Sequence, residues 1–570
     1  MPDSHRAMGV SEQGLKAFLA AREFLLTHRD DYEAAYRDFR WPQLNEFNWA
    51  LDYFDTYARD NRRPALWIVD DAGTEVKLSF AEISQRSNQV ANFFREQGVC
   101  RGDRILVQLS NHFAMWEIML AATKLGAVIV PAATLLTVND LRDRLERGRA
   151  RLIVTQLSLA EKFSSLTGDY IRVVVGGEEK GWLPYSRTYD ESLTFTPTGK
   201  THANDPLMLY FTSGTTALPK LVLHTHQSYP LGHLATMYWI GIRTDDIHFN
   251  ISTPGWAKHA WSSFFAPWNA GATIFVHNYD RFKAARTLDL VARGGVTTMC
   301  APPTVWRLFI LENLSSFAVN LRELASAGEP LNPEVIERVR AAWNITVRDG
   351  FGQTENVLLL GNFPGQMVKP GAVGRPSPGH DILLLDADGN ESDDGEITVR
   401  CDPRPPSLMS GYLNDPERTQ TSFAGGYYRT GDVAHRDGEG YFTYVGRADD
   451  VFKSSDYRLS PFELESALIE LDCVAEAAVV PSADPIRWHV PKAFITLKPG
   501  FQPTPETARE IFKFVRARLA PYKRIRRIEF SELPKTISGK IRRVQLRTME
   551  STPRQERRLD EYWEEDFSDV

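Results

Sequence analysis

The sequence has few cysteines and no long apolar segment, and both absences restrict the class of protein. Its four cysteines (Cys100, Cys300, Cys401 and Cys473) are scattered without a C-x-x-C pair, which argues against a disulfide framework and favours a reducing compartment. The longest apolar stretch, residues 126–136, contains a proline and is too short to cross a bilayer. No charged segment followed by an apolar core marks a secretory signal at the N-terminus. We therefore expect a cytoplasmic protein that does not span a membrane.

An excess of positive charge is also missing. The chain has 66 Lys and Arg against 73 Asp and Glu, a formal net charge of −7, which argues against broad nucleic-acid binding. Its length of 570 residues exceeds what one hydrophobic core usually supports, so two or more domains are expected. A homo-oligomer remains possible.

The two commonest nucleotide-binding loops are absent. The Walker pattern needs a glycine five residues before its Gly-Lys pair, but residues 199–200 have Thr194 there and residues 539–540 have Pro534 there. The dinucleotide fingerprint G-x-G-x-x-G fails because residues 350–355 end in a glutamate. A nucleotide site in this chain must use another architecture.

A hydroxyl-rich loop follows a predicted buried strand at 207–211. Residues 212–220 read Thr-Ser-Gly-Thr-Thr-Ala-Leu-Pro-Lys. Such a loop can bend at Gly214 and direct backbone N–H groups and hydroxyls at a polyanion, and Lys220 adds a mobile cation. The pattern predicts a phosphate-binding loop; the alternative is an ordinary surface turn.

Strands and helices alternate along most of the chain, which predicts an α/β fold with parallel, doubly wound sheets. Ser79 and Glu82 predict the capped start of a helix that ends near Gln97. We expect an N-terminal extension (1–45), a large domain (46–448) with a small β-rich section at 381–445 and a smaller α+β domain (449–547). A solvated acidic tail (548–570) is expected last, with Trp563 and Phe567 as its candidate docking residues. Predicted strands include 69–78 (a hairpin), 105–109, 127–130, 152–155, 273–276, 297–300, 323–327, 382–385, 396–400, 441–445, 477–480, 493–497 and 525–530.

Five further polar segments share the character of the hydroxyl-rich loop. Each alone can be a plain turn, but each also suits part of a nucleotide. Phe351 can stack on a base, Thr354 and Glu355 can hold Mg²⁺ against phosphate oxygens, and Asp432 in a predicted tight turn suits a ribose diol. The segments are 327–330, 349–355, 428–432, 446–449 and 534–540.

The order of these segments resembles the adenylate-forming superfamily of acyl-CoA synthetases, luciferases and peptide-synthetase adenylation domains. The likeness extends from about residue 45 to 547 and is strongest to medium-chain acyl-CoA synthetases, through Trp256 and residues 351–355, 446–450 and 520–523. It implies that ATP and a carboxylate form an acyl-adenylate and pyrophosphate, and that the thiol of CoA then displaces AMP. The implied acid is medium-chain, branched or aromatic.

The resemblance also implies roles for individual residues. Catalysis would depend on Lys540, Thr212 and Glu355, with Lys540 bridging the substrate carboxylate and the phosphate. Thr216 and Glu355 would bind Mg²⁺. The other implied nucleotide-binding residues are Ser213, Gly214, Thr215, Thr216 and Lys220 for the phosphates, Gly328, Glu329, Asp349, Gly350 and Phe351 for adenine, Gly352, Gln353 and Thr354 beside them, and Asp432 and Arg447 for the ribose.

A mobile C-terminal domain follows from the same resemblance. Asp449 matches the hinge about which this domain would rotate, so that Lys540 leaves and a CoA tunnel enters. Asp456 replaces the glycine usual in that tunnel, and Ala217 replaces a glycine in the phosphate loop. The implied CoA-binding residues are Ser455, Asp456, Tyr457, Arg458, Arg487 and Lys523.

Trp256, His259 and Gly352 are the implied walls of the acyl pocket. Acetate-specific relatives place a tryptophan at the position of Gly352, so glycine is expected to leave that space open. A zinc site is not expected from His224, His226, His233 and His259, because their spacing matches no common zinc pattern.

Two alternatives remain at this point. The chain could transfer its acyl-adenylate to a carrier-protein thiol, or it could be a nucleotide-binding regulator without turnover. Aminoacyl-adenylating domains usually carry an aspartate near residues 257–261, where this chain has Lys258 and His259, which favours an uncharged or acidic acyl chain. Lys540, Glu355 and Asp432 speak against a regulator.

Overall fold

The computed structural model describes residues 11–212, 218–454, 457–484, 487–535, 540–552 and 557–567, with the backbone alone at 457, 458 and 488. The chain divides into two compact units. The first contains residues 1–382 and 399–428, and the second contains 383–398 and 429–570. Within the described ranges, no helix is long and apolar enough to cross a membrane.

The first unit contains an eight-stranded sheet, which we name sheet A. Its central strands are parallel, and two antiparallel strands extend one edge. Parallel sheets bury both faces, and the strand at 104–108 is accordingly buried at all but its first position. In spatial order the strands are Gly411–Tyr412, Lys220–Thr225, Pro206–Thr212, Val128–Pro131, Arg104–Gln108, Ala150–Gln156, Ile171–Val175 and Leu183–Pro184.

A nine-stranded sheet, named sheet B, lies in the same unit. Its six middle strands are parallel, and antiparallel strands close both edges. Two mostly parallel sheets connected by helices confirm the predicted α/β fold. In spatial order the strands are Arg375–Pro376, Leu358–Gly361, Val347–Gly352, Glu323–Ala327, Thr298–Ala301, Ile247–Asn250, Thr273–Asn278, Pro64–Asp70 and Glu75–Ser79.

Local sequence signals explain the helix boundaries of this unit. The predicted helix spans Phe80–Glu96, and Ser79 and Glu82 form a reciprocal capping box at its start. Gly126 adopts φ 70° and ends the helix before it, a conformation that glycine takes without penalty. The helices of the first unit are Glu12–Thr27, Tyr32–Asp38, Asp55–Ala58, Phe80–Glu96, Ala114–Leu125, Val138–Gly148, Ser228–Ile240, Ala257–Ala260, Ala266–Ala270, Ala284–Arg293, Pro303–Phe309, Pro333–Trp343 and Pro416–Ser422, with π-helical turns at Trp49–Phe54 and Trp261–Phe265.

The first described residues pack against the body of the same unit. Arg22 Nη2 donates to the carbonyl of Ala270 at 2.8 Å, and the Tyr32 hydroxyl donates to the carbonyl of Pro376 at 2.8 Å. Arg29 forms a buried ion pair with Glu323 at 2.7 Å. These contacts join residues far apart in sequence, so the N-terminal segment contributes to the core of this unit.

The second unit is built from short sheets and three helices. Most residues of a five-stranded antiparallel sheet belong to this second unit. Its strands are Glu391–Ser392, Ile382–Leu385, Asp394–Arg400, Tyr427–Arg436 and Phe442–Arg447. A hairpin of Phe452–Ser454 and Tyr457–Leu459 follows. A four-stranded sheet contains Val474–Asp484, Trp488–Leu497, Arg527–Phe530 and Glu561–Trp563, and the helices are Pro461–Ile469, Pro505–Arg518 and Arg543–Ser551.

The expectation of a solvated acidic tail is wrong for residues 557–567. The strand Glu561–Trp563 pairs with Arg527–Phe530 as the last strand of the four-stranded sheet, and Glu561 is 6% exposed. Its carboxylate lies 3.0 Å from the buried ammonium of Lys492. Acidic residues of this segment are therefore buried through ion pairs with basic residues elsewhere in the unit, although the composition of the segment alone suggests exposure to solvent.

Candidate active site

Thr212 and Lys220 lie opposite each other on two antiparallel strands and flank the predicted phosphate loop. The loop residues Ser213, Gly214, Thr215, Thr216 and Ala217 lie outside the described residues. Thr212 Oγ1 is buried and has no hydrogen-bond partner in the described part of the chain. A buried hydroxyl in that state suits a ligand oxygen.

Lys220 and Glu355 are brought together beside the same loop. The Lys220 ammonium lies 3.9 Å from Glu355 Oε1 and 5.3 Å from the ring centre of Tyr412. The Tyr412 hydroxyl donates to Glu355 Oε1 at 3.0 Å. Burial and this carboxylate raise the pKa of Tyr412, so the hydroxyl stays protonated as a donor. Sequence reasoning missed Tyr412, which no local motif marks.

The segment 353–356 is held by two hydrogen bonds from other elements and by one within the segment. Tyr428 donates to Gln353 Oε1 at 2.9 Å, and the Gln353 N–H donates to Asn356 Oδ1 at 2.9 Å. His224 Nε2 donates to the carbonyl of Thr354 at 2.7 Å. Burial lowers the pKa of His224 to about 4, so a neutral imidazole supports this backbone.

Gly328 and Asp349 lie at the carboxyl edge of sheet B, where two neighbouring parallel strands end. Gly328 has φ +115°, and a side chain added there would meet no atom within 4 Å, so its backbone faces open space. Glu329, next to it, pairs with Arg307 at 3.6 Å. Gly350 and Phe351 belong to the strand Val347–Gly352.

The Asp349 carboxylate is fully enclosed. It accepts hydrogen bonds from the N–H groups of Leu331 at 3.0 Å and Gly350 at 2.9 Å. Burial nevertheless raises the pKa of Asp349 to about 7, because desolvation outweighs these two donors. The side chain therefore links its own strand to the loop of Leu331 at the sheet edge.

The expectation that Gly352 leaves an open space is wrong. A side chain added at Gly352 would lie 2.4 Å from the carbonyl oxygen of Val357 and 2.8 Å from Cη2 of Trp261. Real Cβ atoms do not approach other atoms that closely, so glycine is needed for the contact between these backbones. The indole of Trp261 occupies the adjoining space.

Trp256 and His259 lie at the start of the helical segment that leads to Trp261. Trp256 precedes the helix Ala257–Ala260 and packs, half-buried, on a core cluster of the first unit. His259 is 2% exposed, and its ring lies 5.4 Å from that of Trp116. Burial lowers the pKa of His259 to about 3, so this side chain is neutral.

Among the described residues, no three His, Cys, Asp or Glu side chains gather as a metal-binding group. His226 and His233, like His224, are fully buried. His233 Nδ1 lies 3.0 Å from Thr236 Oγ1. These histidines therefore belong to the packed interior of the first unit.

Asp432 and Arg447 come together in the second unit, but the predicted tight turn is wrong. Asp432 lies within the strand Tyr427–Arg436, where Gly431 adopts φ +71°. Arg447 Nη1 lies 3.3 Å from Asp432 Oδ2, and the Tyr444 hydroxyl donates to Asp432 Oδ1 at 2.9 Å. The neighbouring strand thus presents both partners, and Tyr444 is a further residue that sequence reasoning missed.

Asp449 and Lys523 have partners in the second unit. Asp449 Oδ1 lies 3.6 Å from Arg447 Nε, and Asp450 beside it forms an ion pair with Arg547. Lys523 Nζ lies 2.6 Å from Glu463 Oε1.

The other predicted CoA-binding residues and Lys540 are described only in part. The N–H of Arg487 donates to Asp484 Oδ1 at 2.8 Å. Ser455 and Asp456 lie outside the described residues, whereas Tyr457 and Arg458 are known as a strand backbone only. Lys540 is exposed.

Two sequence families match this chain, one mostly in its first unit and one in its second. The profile of AMP-binding enzymes matches residues 54–413, and that of the AMP-binding enzyme C-terminal domain matches residues 463–540. This chain belongs to the AMP-binding enzyme family. In this AMP-binding enzyme the first match includes every residue predicted to bind the phosphates or adenine. The second match ends at Lys540.

Curated relatives of this AMP-binding enzyme extend over nearly its whole length. One is 4-hydroxybutyrate–CoA ligase 1 of Metallosphaera sedula, 45% identical over 523 residues that cover 90% of this chain and 92% of the relative. Another is the mitochondrial acyl-coenzyme A synthetase ACSM3 of Rattus norvegicus, 38% identical over 92% of this chain and 94% of the relative.

Solved structures share the fold of this AMP-binding enzyme. The anthranilate CoA ligase AuaEII in complex with anthranoyl-AMP matches with a TM-score of 0.81 and 27% identity over 89% of this chain and 98% of that structure. A benzoate CoA ligase from Burkholderia xenovorans LB400 matches with a TM-score of 0.75 and 29% identity, over 88% of this chain and 100% of that structure.

Proposed function

We propose that this AMP-forming acid–CoA ligase converts ATP and a carboxylic acid to an acyl-adenylate and pyrophosphate, and then transfers the acyl group to the thiol of CoA. The observation that carries the proposal is the 3.9 Å approach of Lys220 to Glu355 beside Thr212. A cation, a carboxylate and a buried hydroxyl there suit a polyphosphate and its metal ion.

The β- and γ-phosphates of ATP bind the loop that begins at Thr212 and ends at Lys220. Lys220 binds them as a point charge, and Thr212 Oγ1, which is buried without a described partner, donates to a phosphate oxygen. The residues 213–216 complete this loop in the proposal.

Adenine binds at the carboxyl edge of sheet B. The open space in front of Gly328 supports the close approach of a flat ring to the backbone. Phe351 stacks on the base, with Glu329 and Gly350 beside it. Gln353 and Thr354, which accept hydrogen bonds from Tyr428 and His224, hold the phosphate end.

The ribose hydroxyls bind Asp432 and Arg447. Asp432 is 4% exposed, and its oxygens already accept from Tyr444 and face Arg447. A diol can donate to such an oriented carboxylate, and charge-assisted hydrogen bonds are about twice as strong as neutral ones.

Mg²⁺ fits the carboxylate of Glu355. Magnesium prefers carboxylate oxygens together with substrate phosphates, and the Glu355 side chain is 12% exposed beside the phosphate loop. Thr216 is the second proposed ligand. When bound, the ion neutralises charge on the phosphates, while Tyr412 holds the Glu355 carboxylate in place.

Lys540 stabilises the charge that moves between the two reacting anions. The substrate carboxylate is already ionised at neutral pH, so adenylation needs no general base. An ammonium between the carboxylate and the α-phosphate offsets their repulsion and the charge on the leaving pyrophosphate. Lys540 is exposed, which supports a role at a surface that meets substrate.

CoA binds the second unit after rotation about Asp449. Residues 455–458 line the passage for its pantetheine arm, and Arg487 and Lys523 bind its phosphates. Lys523 pairs with Glu463, an exposed pair of the kind that contributes little to stability. A CoA phosphate can therefore replace Glu463 at small cost.

The acid carries no ammonium group. Relatives are named for 4-hydroxybutyrate, benzoate and anthranilate, and the neutral His259 supports an uncharged acyl chain. The Lys258 ammonium, which donates to the carbonyl of Ala327 at 2.9 Å, would repel a substrate ammonium. The four cysteines form no disulfide, which supports placing the enzyme in the cytoplasm.

Pyrophosphate release with a panel of acids, measured with and without CoA, tests this function. We expect release that depends on ATP and an acid, and a CoA thioester by mass spectrometry. Adenylation without a thioester, together with acylation of a carrier-protein thiol, would show that CoA is not the acceptor.

A further inference from the structure

The side chain of Trp261 occupies the space in front of Gly352. Its Cη2 lies 2.8 Å from the position that a Cβ of Gly352 would take. Trp261 begins a π-helical turn directly after the helix Ala257–Ala260, and π turns are frequent at functional sites. The indole thus lies between the strand of Gly352 and the helix that follows Trp256.

Trp261 is held rigidly in this position. Its Nε1 donates to the Tyr229 hydroxyl at 3.0 Å, and its ring lies 5.6 Å from that of His233. Tyr229 is itself fully buried and packs against Phe265 at 5.5 Å. Rotating the indole away would break this bond and leave a buried N–H unpaired, which is unfavourable.

We propose that Trp261 closes the acyl pocket and restricts this ligase to short acids. The inference rests on the proposed function and on the acyl pocket whose walls the family resemblance assigns to Trp256, His259 and Gly352. The Val357 carbonyl and the indole together fill the space beside Gly352, so an extended acyl chain directed there meets the indole. Butyrate and 4-hydroxybutyrate are accommodated in front of Trp261, whereas octanoate and decanoate are excluded. This differs from the medium-chain acids that Gly352 alone indicates.

Truncation of Trp261 tests the proposal. We expect the parent enzyme to form butyryl-CoA more efficiently than octanoyl-CoA. Trp261→Ala should raise the ratio of kcat/KM for octanoate to that for butyrate by roughly tenfold or more, because each additional buried methylene contributes about fourfold. Trp261→Phe should move the ratio in the same direction by less.

Trp268→Phe is the matched control. Trp268 lies in the next helical turn, is fully buried, and donates from Nε1 to the carbonyl of Ala65 at 3.1 Å. Its neighbours are Phe54 and Phe264, away from Gly352. This variant loses the same atoms as Trp261→Phe and should leave the octanoate-to-butyrate ratio unchanged.

The outcomes separate this inference from the proposed function. A parent that prefers octanoate, or a Trp261→Ala enzyme that makes butyryl-CoA with an unchanged ratio, overturns the role of Trp261 only. If Trp261→Ala does not fold, the octanoate-to-butyrate ratio of kcat/KM is compared between Trp261→Phe and Trp268→Phe. Equal ratios in these two variants would then overturn the role of Trp261. Absence of any CoA thioester from the parent enzyme would instead overturn the proposed function.

Discussion

The Lys220 ammonium lies 3.9 Å from the carboxylate of Glu355. One residue begins a strand of sheet A, and the other follows the last residues of a strand in sheet B. The first unit therefore joins a cation and a carboxylate from two sheets, next to the predicted phosphate loop that starts at Thr212.

Lys220→Ala should weaken ATP use. A hydrogen bond to a charged group contributes about 1.5–3 kcal/mol, so kcat/KM for ATP should fall by about tenfold to a hundredfold. Lys200→Ala is the control, because Lys200 pairs with Glu46 on an exposed surface. Equal kcat/KM values for ATP in both variants would mean that the phosphates of ATP do not bind Lys220.

Glu355→Gln should change the response to magnesium. The amide keeps the shape of the side chain but removes the charge that a hard cation prefers. Acyl-adenylate formation, titrated with Mg²⁺, should need a higher metal concentration in the variant. An unchanged titration curve would argue against Glu355 as a ligand.

Gly352→Ala should destabilise the protein because a Cβ would lie 2.4 Å from the Val357 carbonyl oxygen. Overpacking of this kind costs typically about 1–3 kcal/mol, which a lower Tm would report. At Gly199 an added Cβ meets nothing within 4 Å, so Gly199→Ala is the control. Equal Tm values would mean that the contact with Val357 relaxes freely.

Local signals account for the part of the fold that the sequence predicted. The strand Glu323–Ala327 and the helix Phe80–Glu96 form where they are predicted, because their apolar spacing and flanking turns lie within the segments themselves. The capping pair Ser79 and Glu82 is equally local.

Long-range contacts account for what the sequence could not predict. Tyr412 reaches Glu355, and Trp261 reaches Gly352, only through the tertiary fold, so no spacing rule marks either residue. The burial of the C-terminal segment 557–567 likewise depends on long-range contacts. Glu564 is buried by an ion pair with Arg526, a partner that composition alone cannot reveal.

Lys492→Met should strongly destabilise the second unit. The Lys492 ammonium is fully buried and lies 2.7, 2.9 and 3.0 Å from carboxylate oxygens of Glu529, Glu550 and Glu561. Removing one partner of a buried ionic group costs about 3–5 kcal/mol, because the carboxylates remain buried.

Thermal unfolding of Lys492→Met against Lys498→Met measures this effect. Lys498 is half-buried and follows the same strand. We expect a clear fall in Tm for the first variant only. Equal Tm values would contradict the anchoring of the C-terminal strand by Lys492.

Asp349→Asn should change how stability depends on pH. The pKa of Asp349 is raised from 3.8 to about 7 by burial, so between these values the folded protein holds a proton that the unfolded chain has lost. Stability of the parent therefore falls as pH rises through this window. The variant cannot ionise, so its stability relative to the parent should rise by at most about 1.4 kcal/mol per pH unit.

Unfolding midpoints from pH 4 to pH 8 check this prediction. The exposed Asp388 supplies the control variant Asp388→Asn. A flat difference for Asp349→Asn would mean that Asp349 is ionised throughout this range.

Separate measurement of the two half-reactions in Lys540→Ala tests the central claim most directly. We expect ATP–pyrophosphate exchange to fall by about a hundredfold or more, comparable to losing an electrostatic stabiliser of the transition state, while thioester formation from supplied acyl-adenylate and CoA is retained. Lys535→Ala, which removes a lysine paired with Glu476 at 2.9 Å, should keep both activities. Equal losses in both half-reactions of Lys540→Ala would contradict a lysine that acts in adenylation alone.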